Sequence, residues 1–203
     1  MKAVVLDGSP RRGGNTDMLV EAFVRGASEE NDVAVFRVAD MEIAPCIGCE
    51  RCSRSEGRVC VIDDDMRQVY EAVNDADVLV LASPVYFYGV SSQLKKAVDR
   101  FHAPVRDAFN IRYAALLAVG AATLPDLFDP MLMQYRMALR FFGLEDLGTV
   151  LADGIRGKGD IAGDPALERA FELGRSLGRG SRNRRHSCVS STLSRRSSRS
   201  SRI

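Results

Sequence analysis

The sequence predicts an α/β protein built on a parallel sheet that has helices on both faces. Apolar runs of strand length alternate with segments of helical spacing over residues 1–178. The run Val78–Ala82 is fully apolar, as a strand buried on both faces requires. Five strands separated by helices favour the parallel arrangement, because a crossover helix returns the chain to the same edge. Ligands of such sheets bind where the strands end, at their carboxyl edge.

The predicted elements follow in order along the chain. The strands are compact apolar or alternating runs, at Lys2–Leu6, Asp32–Val38, Val78–Ala82, Tyr113–Val119 and Gly148–Ala152. The helices have apolar residues at helical spacing, at Asp17–Glu29, Asp63–Asn74, Ser91–Phe101, Pro130–Phe142 and Asp164–Leu177. Asp63–Asp65 are expected to cap the second helix rather than to bind a metal. Gly143 ends the fourth helix.

One domain and one tail are predicted. The domain spans residues 1–178, with an irregular cysteine-rich insertion at about 43–62, and a chain of 203 residues suits a single core. Residues 179–203 form a Ser/Arg-rich tail that is expected to be disordered. Seven arginines and no acidic residue occur in 181–203. Because the composition changes abruptly after Gly180, we favour a non-native or frame-shifted extension over a tail that binds nucleic acid.

The sequence carries no sign of a membrane or secretory segment. No apolar run approaches the ~18 residues of a membrane span. The N-terminus enters a strand directly, without the apolar region of a signal peptide. We therefore expect a cytoplasmic protein with no membrane partner, in which clustered cysteines indicate metal binding or redox function rather than disulfides.

Four of the five cysteines lie in one short stretch with the spacing C-x2-C-x2-C-x7-C. They are Cys46, Cys49, Cys52 and Cys60, whereas Cys188 falls in the tail. Four thiolates this close can ligate one metal centre. The tight spacing favours a [4Fe–4S] cluster, as in bacterial ferredoxins. Structural zinc, which usually uses two separated pairs, and reduced thiols without a metal remain as alternatives.

The loop after the first strand is suited to an oxyanion. Its three glycines let the backbone turn N–H groups inward, and the following helix directs its positive end to the same place. Side-chain donors are available from Ser9, Arg11, Asn15 and Thr16. The loop lacks the Gly-Lys-Ser/Thr of a Walker A motif and is not a G-x-G-x-x-G fingerprint. The alternative is an ordinary loop in which Asn15 or Thr16 caps the helix.

These motifs together resemble a known family. The loop Gly8–Thr16 resembles the FMN-phosphate loop of the flavodoxin-like NAD(P)H-dependent FMN reductase superfamily. Ser83–Ser91 is similar to its second flavin loop, and the cysteine run followed by Asp63–Met66 resembles the iron–sulfur flavoprotein branch. The resemblance covers about residues 1–178, and the tail has no counterpart in it.

The resemblance implies a three-layer flavodoxin-like fold with strand order 2-1-3-4-5 and one FMN per subunit of a homodimer or homotetramer. The implied phosphate-binding residues are Ser9, Arg11, Gly14, Asn15 and Thr16. The implied contacts of the isoalloxazine ring are Pro84, Val85, Tyr86, Phe87 and Gly120. A flat ring needs an apolar wall, although Tyr86 and Phe87 would also suit simple packing at a strand end. The implied cluster ligands are the four cysteines.

Three functions follow from these observations. The leading hypothesis is an FMN-dependent oxidoreductase, an electron-transfer protein that couples flavin to a [4Fe–4S] cluster and leaves the chemistry to its cofactors. Ferredoxin or NAD(P)H would donate electrons, and a small molecule would accept them. The second is a metal-free NAD(P)H-dependent reductase of FMN, quinones or nitro compounds. The third is a flavodoxin-fold binding module with an Arg-rich nucleic-acid-binding tail.

Overall fold

Five parallel strands form one sheet in the computed structural model, which describes residues 1–54 and 59–177. The strands are β1 (Lys2–Asp7), β2 (Asp32–Arg37), β3 (Val78–Pro84), β4 (Tyr113–Val119) and β5 (Glu145–Ala152). Their order is β2-β1-β3-β4-β5, and all four neighbouring pairs are parallel. The predicted flavodoxin-like sheet and its strand order are therefore confirmed. The tail predicted at 179–203 lies outside the described residues.

Helices cover both faces of this sheet. They are α1 (Asn15–Ala27), α2 (Met66–Asn74), α3 (Ser92–Arg100), α4 (Asp129–Phe142) and α5 (Pro165–Arg175), with short 3-10 turns at Arg51–Ser53 and Pro104–Ala108. Successive strand residues point to opposite faces. Accordingly, Val5 packs in the core under α1 and α5, whereas Val4 and Leu6 pack under α2 and α3. The carboxyl half of the chain adds α4 over β4 on that second face.

Two glycines bring α1 and α5 into backbone contact. A β-carbon at Gly26 would overlap the carbonyl oxygen of Phe171, and one at Gly174 would overlap the carbonyl oxygen of Phe23. Only glycine leaves room for so close an approach. The last helix is thereby held against the first, which becomes important for the loop that precedes it.

Two local predictions differ from the structure by three residues, whereas the other predicted bounds lie within two residues of the observed ones. The strand β5 begins at Glu145, three residues before its predicted start, with an irregular register opposite Ala114 and Ala115. It is an edge strand whose first two residues are exposed and whose next two are half-buried, so the sequence there lacks the apolar pattern of a buried strand. At the start of α2, Asp65 is the N-cap without a side-chain cap, and Asp64 Oδ1 accepts from the backbone N–H of Met66 instead. Within the described ranges, no helix has the length and apolarity to cross a bilayer.

Candidate functional site

The loops after β1, β3, β4 and β5 enclose a cleft at the carboxyl edge of the sheet. Its volume is about 520 Å³, within the usual range of small-molecule sites. The cleft is lined by Ser9, Arg11, Asn15, Thr16, Pro84, Val85, Tyr86, Val119, Ala121, Ile155 and Arg156. The structure thus brings together seven of the ten residues predicted for a flavin, and leaves Gly14, Phe87 and Gly120 outside the lining.

The phosphate loop places an open helix terminus at one end of the cleft. The first helical hydrogen bond of α1 runs from Met18 N to Gly14 O, at 3.0 Å. The amides of the preceding helical residues, Asn15 to Asp17, therefore have no helical acceptor and are available to an anion. Thr16 is buried, and within the described part of the chain its hydroxyl has no hydrogen-bond partner. This end of the cleft is built as an anion site.

A buried carboxylate pair supports the phosphate loop from below. Ser9 N donates to Asp7 Oδ1 at 2.9 Å, and Gly13 N donates to Asp17 Oδ2 at 2.6 Å. Arg37 Nη1 lies between the carboxylates, 2.9 Å from Asp7 Oδ2 and 2.7 Å from Asp17 Oδ2. Burial, together with the nearby Asp17 charge, raises the pKa of Asp7 to about 7. Sequence reasoning missed this support, because a strand-terminal Asp is unremarkable until its partners are known.

The loop after β3 forms the apolar side of the cleft and ends in a strained turn. Tyr86 and Gly89 exchange two backbone hydrogen bonds, of 3.0 and 3.1 Å. The two residues between them, Phe87 and Tyr88, have φ angles of 47° and 63°, which non-glycine residues rarely adopt. Phe87 is fully exposed and points away from the lining, whereas Pro84, Val85 and Tyr86 face the cleft. Phe87 could therefore contact a flavin ring only outside the cleft lining, for example a ring bound to another molecule that approaches this turn.

Gly120 supports the third loop and does not line the cleft. Its N–H donates to Ala152 O at 2.8 Å, and its carbonyl accepts from Ile155 N at 3.0 Å. A β-carbon there would lie 2.5 Å from a methyl group of Leu127, so a side chain at this position would require Leu127 to move. Its neighbours Val119 and Ala121 face the cleft instead. The predicted contact of Gly120 with the ring stays a prediction.

The loop between β5 and α5 closes the cleft, and sequence reasoning missed it. Asn15 Nδ2 donates to Gly157 O at 2.6 Å, and Asn15 Oδ1 accepts from Gly159 N at 2.9 Å. The Asn15 side chain, predicted to bind phosphate, is thus engaged with this loop. Arg156 lines the cleft, and its Nε donates to Ala121 O at 3.2 Å. The available signal was a glycine-rich charged run, 153–160, directly after the fifth predicted strand.

The four predicted cysteine ligands occupy the segment between β2 and α2. Cys46 and Cys49 are exposed, Cys52 and Cys60 are half-buried, and none of the four is in a disulfide. Among the described residues, no three or more His, Cys, Asp or Glu side chains are grouped as metal ligands. A preformed cage is therefore not seen there. The donor set itself, four thiols within a short stretch, is chemically suited to an iron–sulfur cluster.

A buried ion pair holds both ends of the cysteine segment. Arg100, at the end of α3, contacts Asp64 at 2.7 Å and donates to Ala44 O at 2.9 Å. Asp64 Oδ2 in turn accepts from Ala44 N at 2.9 Å. Burial alone would raise the pKa of Asp64, but the hydrogen bonds from Arg100, Ala44 and Met66 outweigh it and lower that pKa. The cysteine segment is therefore fixed at Ala44 and Asp64, on either side of the cysteines, whether or not the cysteines bind a metal.

The cleft residues fit FMN by their chemistry. The α1 amides and the Thr16 hydroxyl suit a phosphate, and Arg11 adds a positive charge beside them. Pro84, Val85 and Tyr86 provide the apolar wall that a flat ring system requires. Phosphate donors and ring wall lie along one cleft, in the arrangement that a phosphorylated aromatic cofactor needs.

Comparisons with known proteins agree with this site. The profile of the NADPH-dependent FMN reductase family matches residues 1–134. An iron–sulfur flavoprotein of Methanocaldococcus jannaschii is 42% identical over 125 residues, which cover 60% of this chain and 63% of the relative. The match thus spans less than two thirds of that relative. A putative NAD(P)H-dependent FMN-containing oxidoreductase of Bacillus subtilis is 30% identical over 182 residues, 85% of this chain and 96% of the relative.

A solved structure shares the fold over most of its length. The NAD(P)H:quinone oxidoreductase from Methanothermobacter marburgensis superposes with a TM-score of 0.73 at 21% identity, covering 88% of this chain and 96% of that chain. The family match includes the phosphate loop, the cysteine segment and the ring wall. The predicted superfamily is confirmed: the chain belongs to the NADPH-dependent FMN reductase family, and it is similar to relatives named iron–sulfur flavoproteins.

Proposed function

We propose that this protein is an FMN-dependent oxidoreductase. The observation that carries the proposal is that the start of α1, with its free amides, and an apolar wall line the same cleft at the carboxyl edge of the sheet. Bound FMN would accept a hydride from NAD(P)H and pass electrons to a small-molecule acceptor. Family membership and the Bacillus relative support this class of reaction.

The chain's own residues bind and orient the cofactor. The α1 amides and the hydroxyls of Ser9 and Thr16 hold the phosphate, while Arg11 balances its charge. Pro84, Val85 and Tyr86 cover the ring and exclude water from it. No side chain is required as a general base, since hydride transfer takes place between the two cofactors.

Flavin binding and reduction test the proposal. The purified protein should bind FMN at about one per chain, and anaerobic NADPH should bleach the flavin absorbance within seconds. Thr16→Val should weaken FMN binding by about tenfold, because it removes a donor at the helix terminus. Thr149→Val, at an exposed position of β5, serves as the matched control and should bind FMN normally. A wild-type protein that fails to bind FMN would disprove the function.

We further propose that Cys46, Cys49, Cys52 and Cys60 hold a [4Fe–4S] cluster. When bound, the cluster would supply one-electron transfer between the flavin and a partner such as ferredoxin. Four reduced cysteines in one segment support this, as do relatives named iron–sulfur flavoproteins. Because metal binding commonly couples to local folding, cluster assembly should stabilise the folded protein.

Anaerobic purification with iron and sulfide analysis tests the cluster. We expect about four iron atoms per chain, and Cys49→Ser should abolish the iron content. Cys188→Ser, in the tail, should leave the iron content unchanged and is the matched control. Zinc in place of iron would indicate a structural site, and a metal-free protein with normal flavin reduction would indicate a plain reductase. Reduction by a ferredoxin system but not by NADPH would identify an electron-transfer protein.

We also propose a homodimer or homotetramer whose folding unit is residues 1–178. Sedimentation of the FMN-loaded protein measures the assembly, and a monomer would contradict it. Deleting residues 179–203 should change neither FMN affinity nor assembly, because the predicted tail has no apolar pattern that could join a core.

A further inference from the structure

The loop between β5 and α5 is fixed to the proposed FMN site at two points. Both polar atoms of the Asn15 side chain bond to it, through Gly157 O and Gly159 N. On the other side, Ile155 N donates to Gly120 O at 3.0 Å, in the loop after β4. A loop anchored on both sides of a cleft presents its side chains in defined positions.

Arg156 is the side chain that this loop presents to the cleft. Its Nε donates to Ala121 O, which holds the guanidinium against the loop after β4. Within residues 1–54 and 59–177, its two terminal amino groups have no protein partner. The next residue, Gly157, is bonded to Asn15, the first residue of α1. Arg156 therefore lines the cleft, and the residue that follows it is bonded to the start of α1.

The charge balance at this end of the cleft is compatible with a further cation. A phosphate monoester carries about −1.5 to −2 charges at neutral pH. Beneath the loop, Asp7 and Asp17 share a single arginine, Arg37, so the support does not offset the charge of an anion above it. Arg11 and the terminus of α1, which is equivalent to about half a positive charge, together supply about 1.5 positive charges and match the phosphate only at the lower end of its range.

In the part of the chain that the structure describes, no charged side chain forms an ion pair with the Arg156 guanidinium. The Asp160 carboxylate accepts backbone N–H groups, from Gly157 at 2.6 Å and from Arg156 at 3.3 Å, and so shapes the turn rather than pairing with a side chain. Lys158 lies beside Gly13 of the phosphate loop and is not among the residues that line the cleft. The Arg156 head group thus faces the cleft with donors to spare.

We propose that Arg156 binds the phosphate of FMN, as part of a fourth flavin-binding loop after β5. The proposal rests on the FMN function proposed above. It assigns a binding role to a loop that the matched family region, residues 1–134, does not reach. Guanidinium and phosphate form charge-assisted bonds that are stronger than those between neutral groups.

Riboflavin is FMN without its phosphate. The difference between the affinities of the protein for the two flavins therefore reports contacts to the phosphate. The affinities of both flavins for the apoprotein are measured by quenching of flavin fluorescence, in the wild type and in Arg156→Gln. We expect Arg156→Gln to weaken FMN binding about tenfold, equivalent to about 1.4 kcal/mol, and riboflavin binding less than twofold. Arg156→Lys should recover part of the FMN affinity, because it keeps the charge but not the planar donors.

Arg169→Gln is the matched control. Arg169 is also exposed and also donates to a backbone carbonyl, Leu151 O at 3.0 Å, but it does not line the cleft. It should leave both affinities unchanged, and urea unfolding should show that all three variants are folded. Equal losses for FMN and riboflavin in Arg156→Gln, or no loss, would overturn the proposal while FMN binding by the wild type stands. A wild type that binds neither flavin would overturn the proposed function as well.

Discussion

At the scale of single residues, the phosphate loop depends on two carboxylates that share one arginine. Asp7 is 2% exposed, and Arg37 contacts both it and Asp17. One cation between two buried carboxylates leaves an excess negative charge if both are ionised. The proton that relieves this excess binds to Asp7, whose pKa is raised to about 7, chiefly by burial.

Asp7 should therefore make stability depend on pH. Between about pH 4 and pH 7 the folded chain keeps a proton that the unfolded chain has released. The free energy of unfolding should fall as pH rises through this range, by at most about 1.4 kcal/mol per pH unit from this group. Asp7→Asn removes the titration, so its loss of stability between pH 5 and pH 7 should be smaller than that of the wild type.

Urea unfolding of the apoprotein at pH 5, 6, 7 and 8 measures this difference. Asp32→Asn, at an exposed position that starts β2, controls for removal of a carboxylate elsewhere. Equal pH dependence in the wild type and Asp7→Asn would show that Asp7 ionises normally.

The turn after β3 makes a second residue-scale prediction. Phe87 has a left-handed backbone and a fully exposed ring, so its side chain offers no packing to offset the strain. Phe87→Gly should stabilise the apoprotein by about 1 kcal/mol relative to Phe87→Ala, because both lack the ring but only glycine adopts this φ freely. Thermal unfolding of the two variants compares them, and equal midpoints would mean that the turn is unstrained.

At the scale of elements, the cysteine segment is fastened to α3. Arg100 is 2% exposed, and it bonds to Asp64 beyond the cysteines and to Ala44 before them. Removing one partner of a buried pair leaves an uncompensated charge, which typically costs about 3–5 kcal/mol. Arg100→Met should therefore destabilise the apoprotein by about 3 kcal/mol in urea unfolding, with part of the loss restored by adding Asp64→Asn.

The same helix supplies the control for this prediction. Lys95 and Asp99 form a pair of 2.6 Å on α3, but both side chains are about half exposed. Lys95→Ala should cost less than about 1 kcal/mol, since solvent screens exposed pairs. If Lys95→Ala proved as costly as Arg100→Met, the loss would reflect α3 itself rather than the fastening of the cysteine segment.

The elements that could be predicted are those whose burial is uniform. The strand β4 is buried along nearly all its length, and its predicted bounds, Tyr113–Val119, are confirmed. The edge strand β5 and the cap of α2 were less well predicted, because their environment is set by tertiary partners. In the site, the phosphate and ring loops carry local motifs. The Arg156 loop depends on bonds to Asn15, which is more than 140 residues away along the chain.

At the scale of the whole molecule, the first and last helices of the described chain both begin beside the site. The helix α1 begins at the phosphate loop, and α5 follows the loop that carries Arg156. The two helices pack at Gly26 and Gly174, where each glycine touches the backbone of the other helix. The position of the Arg156 loop is therefore tied to the fit between these two helices.

Gly26→Ala tests this connection. In an ordinary helix the change would add about 1 kcal/mol of stability through helix propensity. Here the new methyl group meets the carbonyl of Phe171, and backbone atoms have little freedom to give way. We expect overpacking to cost about 3 kcal/mol and to outweigh the gain in helix propensity. The free energy of unfolding measured in urea should therefore fall by about 2 kcal/mol. Because α5 must shift, FMN affinity should also fall, and more than riboflavin affinity if Arg156 moves with it.

Gly89→Ala provides the comparison for that substitution. Gly89 has a φ outside the left-handed region, and its β-carbon would find only Tyr86 O, at 3.8 Å. Gly89→Ala should change the free energy of unfolding by less than about 0.5 kcal/mol, as at most surface positions. If Gly26→Ala stabilised the protein, α1 and α5 would have to separate at little cost. The position of the Arg156 loop would then depend on its Asn15 hydrogen bonds alone, and Asn15→Ala would become the substitution that lowers FMN affinity.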